Sequence, residues 1–199
     1  MPRPHTRSIG ELRGRLIQLR AFAPEEVDAA WRALAQQDES AHPRWRPEDR
    51  RPQPSEKFRH RLERSGSLWR GCLDLAIERN GRLIGQIGAR TRPEQTLPPG
   101  VFEIGVGLYE EQDRGKGYGR EAVELLTTWL FQTCGAHRVQ ATTDAGNTPM
   151  RSVLEHLGFR MEGILRAFGA LSDGTRPDGA LYAVIKPDWR SQSRTPPSS

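Results

Sequence analysis

The feature that most constrains this chain lies near its middle, where three segments of different character follow one another directly. Residues 101–109 (VFEIGVGLY) are mostly apolar and rich in β-formers, which predicts a buried strand. Residues 110–119 (EEQDRGKGYG) are polar and rich in glycine. From Tyr118 to Cys134 apolar residues recur at helical spacing. The stretch therefore predicts a strand, a tight loop and an amphipathic helix.

The loop between that strand and that helix predicts an anion site. A turn that leads into a helix leaves backbone N–H groups unpaired at the positive end of the helix dipole. Glycines let the backbone approach an anion closely, and cationic side chains add charge. The residues expected to hold a phosphate group are Arg114, Gly115, Lys116, Gly117, Tyr118, Gly119 and Arg120. A purely structural loop is the alternative, because glycine-rich turns before helices are common.

Two motifs in the chain resemble those of a known superfamily. The strict dinucleotide fingerprint and the G-x-x-x-x-G-K-[ST] loop are absent from the sequence. Arg114, Gly117 and Gly119 instead have the spacing R-x-x-G-x-G, which resembles the acyl-coenzyme A signature of the GNAT N-acetyltransferases. Residues 147–159 (NTPMRSVLEHLGF), followed by EGILR, are most similar to the ribosomal-protein (RimJ/RimL-like) branch and related small-molecule enzymes.

The order of the predicted elements agrees with this resemblance. Strands and helices are expected in the order β, α, α, β, β, β, α, β, α, β, β, with a hairpin at Asn80-Gly81 and a helix that begins at Asn147, with Pro149 in its first turn. The resemblance implies the α/β (α+β) GNAT fold: a mixed, mostly antiparallel sheet of seven strands with helices on both faces. We expect one N-acetyltransferase domain over residues 12–189, with disordered ends at 1–11 and 190–199.

The resemblance also implies where coenzyme A would lie. In the superfamily the central strand and the next strand splay apart, and the pantetheine arm pairs with strand backbone like an additional strand. By position, Val106, Gly107 and Leu108 would make these contacts. Asn147 reaches the coenzyme arm in the family. Its position is equally suited to a helix N-cap, and the two roles are compatible.

Glu103 is the residue predicted to act as general base. An ammonium acceptor must lose a proton before its nitrogen can attack a thioester, and superfamily members often use a glutamate of the central strand, directly or through water. Glu103 is the only acidic residue inside the predicted strand. The alternative is an exposed carboxylate at the end of the strand that aids only solubility.

The sequence departs from the family at the usual positions of the general acid. Many GNAT enzymes have a tyrosine seven residues after the asparagine, where this chain has Leu154. The ribosomal-protein branch often has a serine three residues after it, where this chain has Met150. A water or backbone donor could suffice, because the coenzyme leaves as a fairly stable thiolate. A degenerate GNAT domain that binds acyl-coenzyme A as a sensor or interaction module, without turnover, is therefore the alternative function.

Composition bears on the remaining classes of protein. A formal charge of +5 from 30 basic and 25 acidic residues fits a solvated surface and a polyanionic coenzyme. Nucleic-acid binding is disfavoured, because Glu48 and Asp49 interrupt the arginine- and tryptophan-rich residues 42–51. Cys72 and Cys134 lack metal-site spacing, so no metal is expected. Without a transmembrane run or signal-peptide core, the expected location is cytoplasmic, with no membrane partner.

These observations predict an acetyl-coenzyme A-dependent N-acetyltransferase. It would pass the acetyl group to a primary amine, on a protein N-terminus or a small molecule, by direct attack in a ternary complex. In the family, the first two helices and the loop before the central strand select the acceptor; here these are residues 24–66 and 91–100. They are the parts least like the family, so the sequence does not identify the acceptor. It also does not decide whether longer acyl groups are preferred or whether the chain forms a homodimer.

Overall fold

A single sheet organises the chain. The computed structural model describes residues 8–35, 55–91, 97–171 and 173–192. The strands in this part of the chain are β1 Glu11–Arg13, β2 Gln18–Arg20, β3 Cys72–Arg79, β4 Arg82–Arg90, β5 Val101–Leu108, β6 Arg138–Asp144, β7 Arg160–Leu165 and β8 Gly179–Ile185. Their spatial order is β1-β2-β3-β4-β5-β6-β8-β7. Neighbouring strands are antiparallel except β5 and β6, which run parallel. The predicted mixed, mostly antiparallel sheet is confirmed.

Helices cover both faces of this sheet, as the resemblance implies. They are α1 Val27–Ala35, α2 Glu56–Leu62, α3 Tyr118–Thr133, α4 Thr148–His156 and α5 Lys186–Gln192. Short 3₁₀ turns, Pro24–Glu26 and Glu111–Asp113, precede α1 and the loop before α3. One apolar core joins α1 and α2 to the sheet, and a larger one joins α3 and α4 to it.

Strand β3 shows how the sheet separates the two cores. Successive side chains of a strand point to opposite faces. Leu73, Leu75 and Ile77 are fully buried in the core that contains α3, whereas Ala76 packs with α1 and α2. Each fully buried leucine or isoleucine contributes about 1.5–3 kcal/mol to folding. This packing holds α3 against the sheet, with its N-terminus next to the end of β5.

Strands β5 and β6 separate part of the way along their length. Their parallel pairing covers only Val101–Glu103 of β5, opposite residues 138–140. Beyond Glu103, β5 continues to Leu108 and β6 continues to Asp144 without pairing with each other. The predicted splay between the central strand and the next one is therefore confirmed.

The sheet has eight strands where seven were predicted. The expected first strand, residues 15–22, is a turn followed by the short strand β2, and β1 precedes the turn. The reason is that three polar or half-buried residues at a sheet edge give no apolar run that periodicity could detect. The last-but-one strand also ends at Leu165, earlier than the predicted Leu171.

The described elements reach slightly beyond the predicted limits of the domain. Ile9 is buried and its N–H donates to the carbonyl of Gly66, and Glu11 lies in β1, whereas the domain is predicted to begin at residue 12. Helix α5 likewise continues to Gln192, beyond the predicted limit of 189. Residues 1–7 and 193–199 lie outside the described part of the chain.

Candidate active site

The glycine-rich loop lies between the end of β5 and the start of α3. Gly115 and Gly117 have φ angles of 71° and 85°, a left-handed conformation that only glycine adopts at little cost. Gly117 is the N-cap of α3, and as glycine it has no side chain with which to cap the helix. A Cβ built on Gly115 would meet no atom within 4 Å. The N-terminus of α3 is therefore open on the side of the loop, which suits an anion.

The side chains of the loop divide into an exposed and a buried set. Arg114, Lys116 and Arg120 are exposed and surround the helix N-terminus with positive charge. Tyr118 is buried, and the guanidinium of Arg79 lies 4.7 Å from the centre of its ring. The Tyr118 side chain therefore belongs to the core, and its backbone N–H is the group available to a ligand in the loop.

The splay leaves one edge of β5 beside this loop. Val106, Gly107 and Leu108 are half-buried and pair with β4 on their other edge. Val106 and Leu108 pack against the core on the α3 side. In the described sheet this part of β5 does not pair with β6, so its edge can take an extended ligand by strand addition.

The opposite face of β5 is unusually bare. Alternation along the strand places Glu103, Gly105 and Gly107 on the face that carries α1 and α2. Gly105 is exposed, and a Cβ built on it would meet no atom within 4 Å. Glu103 is half-buried and lies directly across from Arg90 of β4. An open space therefore adjoins the predicted base.

A tyrosine at the end of β5 belongs to the same face. Tyr109 packs with the core of α1 and α2, and its hydroxyl donates to Oε1 of Gln86 at 3.2 Å. Burial is the main cause that raises the pKa of Tyr109, and the carboxylates of Glu26 and Asp74 add to it. The phenol is therefore neutral at physiological pH and acts as a hydrogen-bond donor.

Sequence reasoning missed an ionic cluster beside Glu103. Asp74 of β3 is 7% exposed and accepts from Nη2 of Arg90 at 2.8 Å, and Nε of Arg61 from α2 lies 3.3 Å from its other oxygen. Burial lowers the pKa of Arg90, but the charge of Asp74 and its hydrogen bond raise it by more. Gly88 makes room, since a Cβ there would lie 2.7 Å from the Leu73 carbonyl and 3.1 Å from Nη1 of Arg90. An acid inside the apolar segment CLDLAI was the available sequence signal.

Helix α4 supplies no acid at the usual family positions. Oδ1 of Asn147 accepts from the N–H of Met150 at 3.2 Å, so the N-cap role of Asn147 is confirmed. Met150 packs against the core and Leu154 is fully buried. Tyr182 lies beside α4, donates to Oε1 of Glu155 at 2.6 Å and is completely buried. Leu154 and Tyr182 therefore lie in the core of this chain, and Met150 packs against it.

The described residues offer neither a cluster of metal ligands nor a membrane-spanning helix. Within residues 8–35, 55–91, 97–171 and 173–192, no three or more His, Cys, Asp or Glu residues are arranged to hold a metal ion. Cys72 and Cys134 are both free thiols. The helices described in those ranges are too short or too polar to cross a membrane.

The known proteins similar to this chain include several acetyltransferases. A mycothiol acetyltransferase of Pseudarthrobacter chlorophenolicus is 27% identical over 158 residues, which cover 79% of this chain and 47% of the relative. The chain thus spans about half the length of that relative. The structure of Mycobacterium smegmatis RimJ in complex with CoA-disulfide is 27% identical, has a TM-score of 0.72, and the match covers 91% of this chain and 88% of that one.

A third relative shares only the fold. The ribosomal-protein-S5-alanine acetyltransferase of Vibrio fischeri superposes with a TM-score of 0.72 over 90% of this chain and 98% of its own, at 20% identity.

A family model described as the acetyltransferase (GNAT) domain matches residues 15–160, which include β2 to β6, the glycine-rich loop and α4. The chain therefore belongs to the GNAT acetyltransferase family.

Proposed function

We propose that this protein is an N-acetyltransferase that moves the acetyl group of acetyl-coenzyme A to a primary amine, on a protein N-terminus or a small molecule. One observation carries the proposal. In the described sheet, the part of β5 beyond Glu103 does not pair with β6, and the chain continues from this part of β5 through the glycine-rich loop to the N-terminus of α3. A strand edge followed by a phosphate site suits coenzyme A, in which an extended arm with amide groups is followed by a pyrophosphate. The described elements share one sheet, which supports a single catalytic domain.

The loop residues would bind the pyrophosphate. Residues 115–120 lie at the N-terminus of α3, the positive end of its dipole, and Arg114, Lys116 and Arg120 add charge. Tyr118 would contribute its backbone alone, since its ring is buried. The coenzyme bound in the M. smegmatis RimJ structure supports coenzyme A as the donor.

The pantetheine arm would lie along Val106, Gly107 and Leu108. Extended amides hydrogen-bond to a strand edge as another strand would. Asn147 would act from the other side of the gap. Because its Oδ1 already accepts from the N–H of Met150, its amide nitrogen is the group left to donate to a carbonyl of the arm.

Glu103 would remove the proton from the acceptor amine, directly or through one water. The amine nitrogen then bonds to the acetyl carbon while the carbon–sulfur bond breaks, which gives an amide and the free coenzyme thiol. Leu154 has no proton to give the leaving thiolate, so we propose that a water or a backbone N–H stabilises the thiolate by a hydrogen bond. The thiolate then takes up, through water, the proton that the amine nitrogen loses as the amide forms. The open face at Gly105 gives the amine access to the acetyl group beside Glu103.

The test begins with turnover. Release of the coenzyme thiol from acetyl-coenzyme A would be measured with a panel of peptides with free N-termini and small primary amines, and acetylated products identified by mass spectrometry. The proposal requires turnover with at least one acceptor. Coenzyme binding by calorimetry without turnover across the whole panel would instead support the alternative, a binding module.

A variant of the loop tests where the coenzyme binds. Gly117→Glu should abolish detectable coenzyme A binding, because it adds a bulky anion and a strained φ at the helix N-terminus. Gly135→Glu is the matched control: Gly135 has a φ of 70° at the opposite end of α3, and a Cβ there meets nothing within 4 Å. Equal affinities for Gly117→Glu and wild type in calorimetry would remove the basis of the proposed site.

A further inference from the structure

The turn between β1 and β2, residues 14–17, is fastened to the first turn of α3 by one carboxylate. Oε1 of Glu121 accepts from the N–H of Arg15 at 2.8 Å. Oε2 accepts from the N–H groups of Leu16 at 2.8 Å and Ile17 at 2.9 Å. Bonds to an ionised acceptor are stronger than bonds between neutral groups, and the helix N-terminus favours the negative charge. The turn is thus held at a fixed place beside α3.

The chain around this carboxylate is shaped to accommodate it. A Cβ on Gly14 would lie 2.6 Å from both Cδ and Oε2 of Glu121, so a larger residue would displace the carboxylate. A Cβ on Gly117 would lie 3.5 Å from Cδ1 of Leu16, so the turn also contacts the glycine-rich loop. Arg79, stacked on Tyr118, donates to the Leu16 carbonyl at 3.3 Å. The turn is therefore tied to the loop, to α3 and to the end of β3.

The turn also lines a cavity of about 260 Å³. The opposite wall is the end of β3 and the following hairpin, residues 78–80. Three arginines, Arg13, Arg15 and Arg79, and one acid, Glu78, line it. Because Arg13 pairs with Glu11 and Glu78 pairs with Arg20, the excess of positive charge comes from Arg15 and Arg79. The Glu121 carboxylate, covered by three N–H donors, is not part of this lining. An anionic ligand would suit this lining, and Leu16, which lines the cavity, lies beside Gly117 of the phosphate loop.

We infer that the β1–β2 turn forms one side of the site for the 3′-phosphoadenosine end of coenzyme A, and that Glu121 is the residue that positions it. The inference rests on the proposed function. Both carboxylate oxygens of Glu121 accept from the backbone of the turn, so Glu121 would act through the turn, as a positioning residue. Arg15, exposed at the turn, is the cation that meets the phosphate.

Two acetyl donors that differ in the phosphate-containing half test this role, together with the adenosine 3′,5′-bisphosphate probe described below. Acetyl-coenzyme A contains the pyrophosphate and the 3′-phosphoadenosine group and acetyl-pantetheine contains neither, while the thioester is the same. Glu121→Gln replaces one acceptor oxygen by an NH₂ group and removes the charge, which releases the turn. We expect KM for acetyl-coenzyme A to rise roughly tenfold with kcat unchanged, since charge-assisted hydrogen bonds are lost. We expect kcat/KM for acetyl-pantetheine to stay the same.

The control is Glu124→Gln, which removes an exposed carboxylate three residues further along α3 and should change neither donor's kinetics. An unchanged KM for acetyl-coenzyme A in Glu121→Gln, or an equal loss with both donors, would overturn the inference; the second result would mean general loosening. Failure of the wild type to use or bind acetyl-coenzyme A would instead refute the proposed function.

A second variant covers the case in which Glu121→Gln does not fold. Arg15→Ala keeps the backbone N–H that Glu121 binds and removes only the cation. Calorimetry with adenosine 3′,5′-bisphosphate should show several-fold weaker binding than to wild type. Unchanged binding of this probe, or an equal weakening of pantetheine binding, would contradict a role for the turn at the nucleotide.

Discussion

At the scale of single residues, the proposed proton removal depends on where Glu103 lies. The carboxylate lies on β5 across from the charged Arg90, and the neighbouring position on the same face is the exposed Gly105. A substrate amine can therefore reach the carboxylate through the space that a side chain at Gly105 would fill. Arg90 is itself held by Asp74, so the charge opposite Glu103 is fixed in place.

Glu103→Gln should lower kcat by about 10²-fold near neutral pH, because the amide keeps the shape of the side chain but cannot accept the proton. The deficit should shrink as pH rises, since more of the acceptor is then already deprotonated in solution. Coenzyme affinity should be unchanged. Rate profiles against pH for the variant, the wild type and a Glu25→Gln control measure this. Parallel profiles for variant and wild type would assign proton removal to bulk water.

The residues that the sequence predicted are close together in the chain, whereas the residues that it missed are far apart in the chain and meet only in the folded sheet. Gly115, Gly117 and the exposed cations of the loop are neighbours in the chain, so their spacing alone indicated an anion site. Asp74 and Arg90 are brought together by strand register, in which Asp74 faces Gly88 and Arg90 faces Glu103. Register depends on the whole sheet, and no local pattern reports it.

At the scale of elements, long amphipathic segments were predictable and short terminal ones were not. Helix α3 and strand β5 follow from periodicity because each buries one face over many residues. Strand β1 has three residues at the sheet edge, and α5 begins Lys-Pro-Asp and contributes one large apolar residue, Trp189. The position of such short elements depends on a few contacts with residues that are distant in the chain, and a local sequence pattern does not reveal those contacts.

Trp189 should account for much of the contribution of α5 to stability. Its ring lies 6.1 Å from that of Phe131 in α3 and 6.5 Å from that of Phe159 before β7, and it is 8% exposed. Trp189→Ala should lower the free energy of unfolding by about 3–5 kcal/mol. Chemical denaturation measures the change, and deletion of residues 193–199, which have no apolar periodicity, is the control. A loss below about 1 kcal/mol would show that α5 is not part of the core.

At the scale of the whole molecule, an ionic network connects one end of the sheet to the helices above it. Arg20 of β2 donates to Oε1 and Oε2 of Glu26, in the 3₁₀ turn before α1, at 2.7 and 2.8 Å, and its Nε donates to Glu78 of β3. Glu26 also accepts from the N–H of Ala23 at 2.8 Å. The network joins β2 and β3 to the 3₁₀ turn that leads into α1.

This network should make the stability of the whole fold depend on pH in the acidic range. The hydrogen bond from Arg20 is the main cause that lowers the pKa of Glu26 below its ordinary value of 4.5. A carboxyl whose pKa is lower in the folded state adds stability above its unfolded pKa and loses it as pH falls through the folded pKa. Glu26 therefore contributes fully at neutral pH, and the contribution declines below about 4.5.

Glu26→Gln should reduce stability at pH 7 and flatten its decline in acid. The amide does not titrate, so the free energies of unfolding of variant and wild type should converge as pH falls below about 4.5. Urea denaturation at a series of pH values measures both curves. Glu25→Gln, an exposed neighbour in the same 3₁₀ turn, should leave the wild-type curve unchanged. If the Glu26→Gln deficit stayed constant down to pH 2, the ion pair with Arg20 would not be its source, and the loss would come from packing that does not titrate.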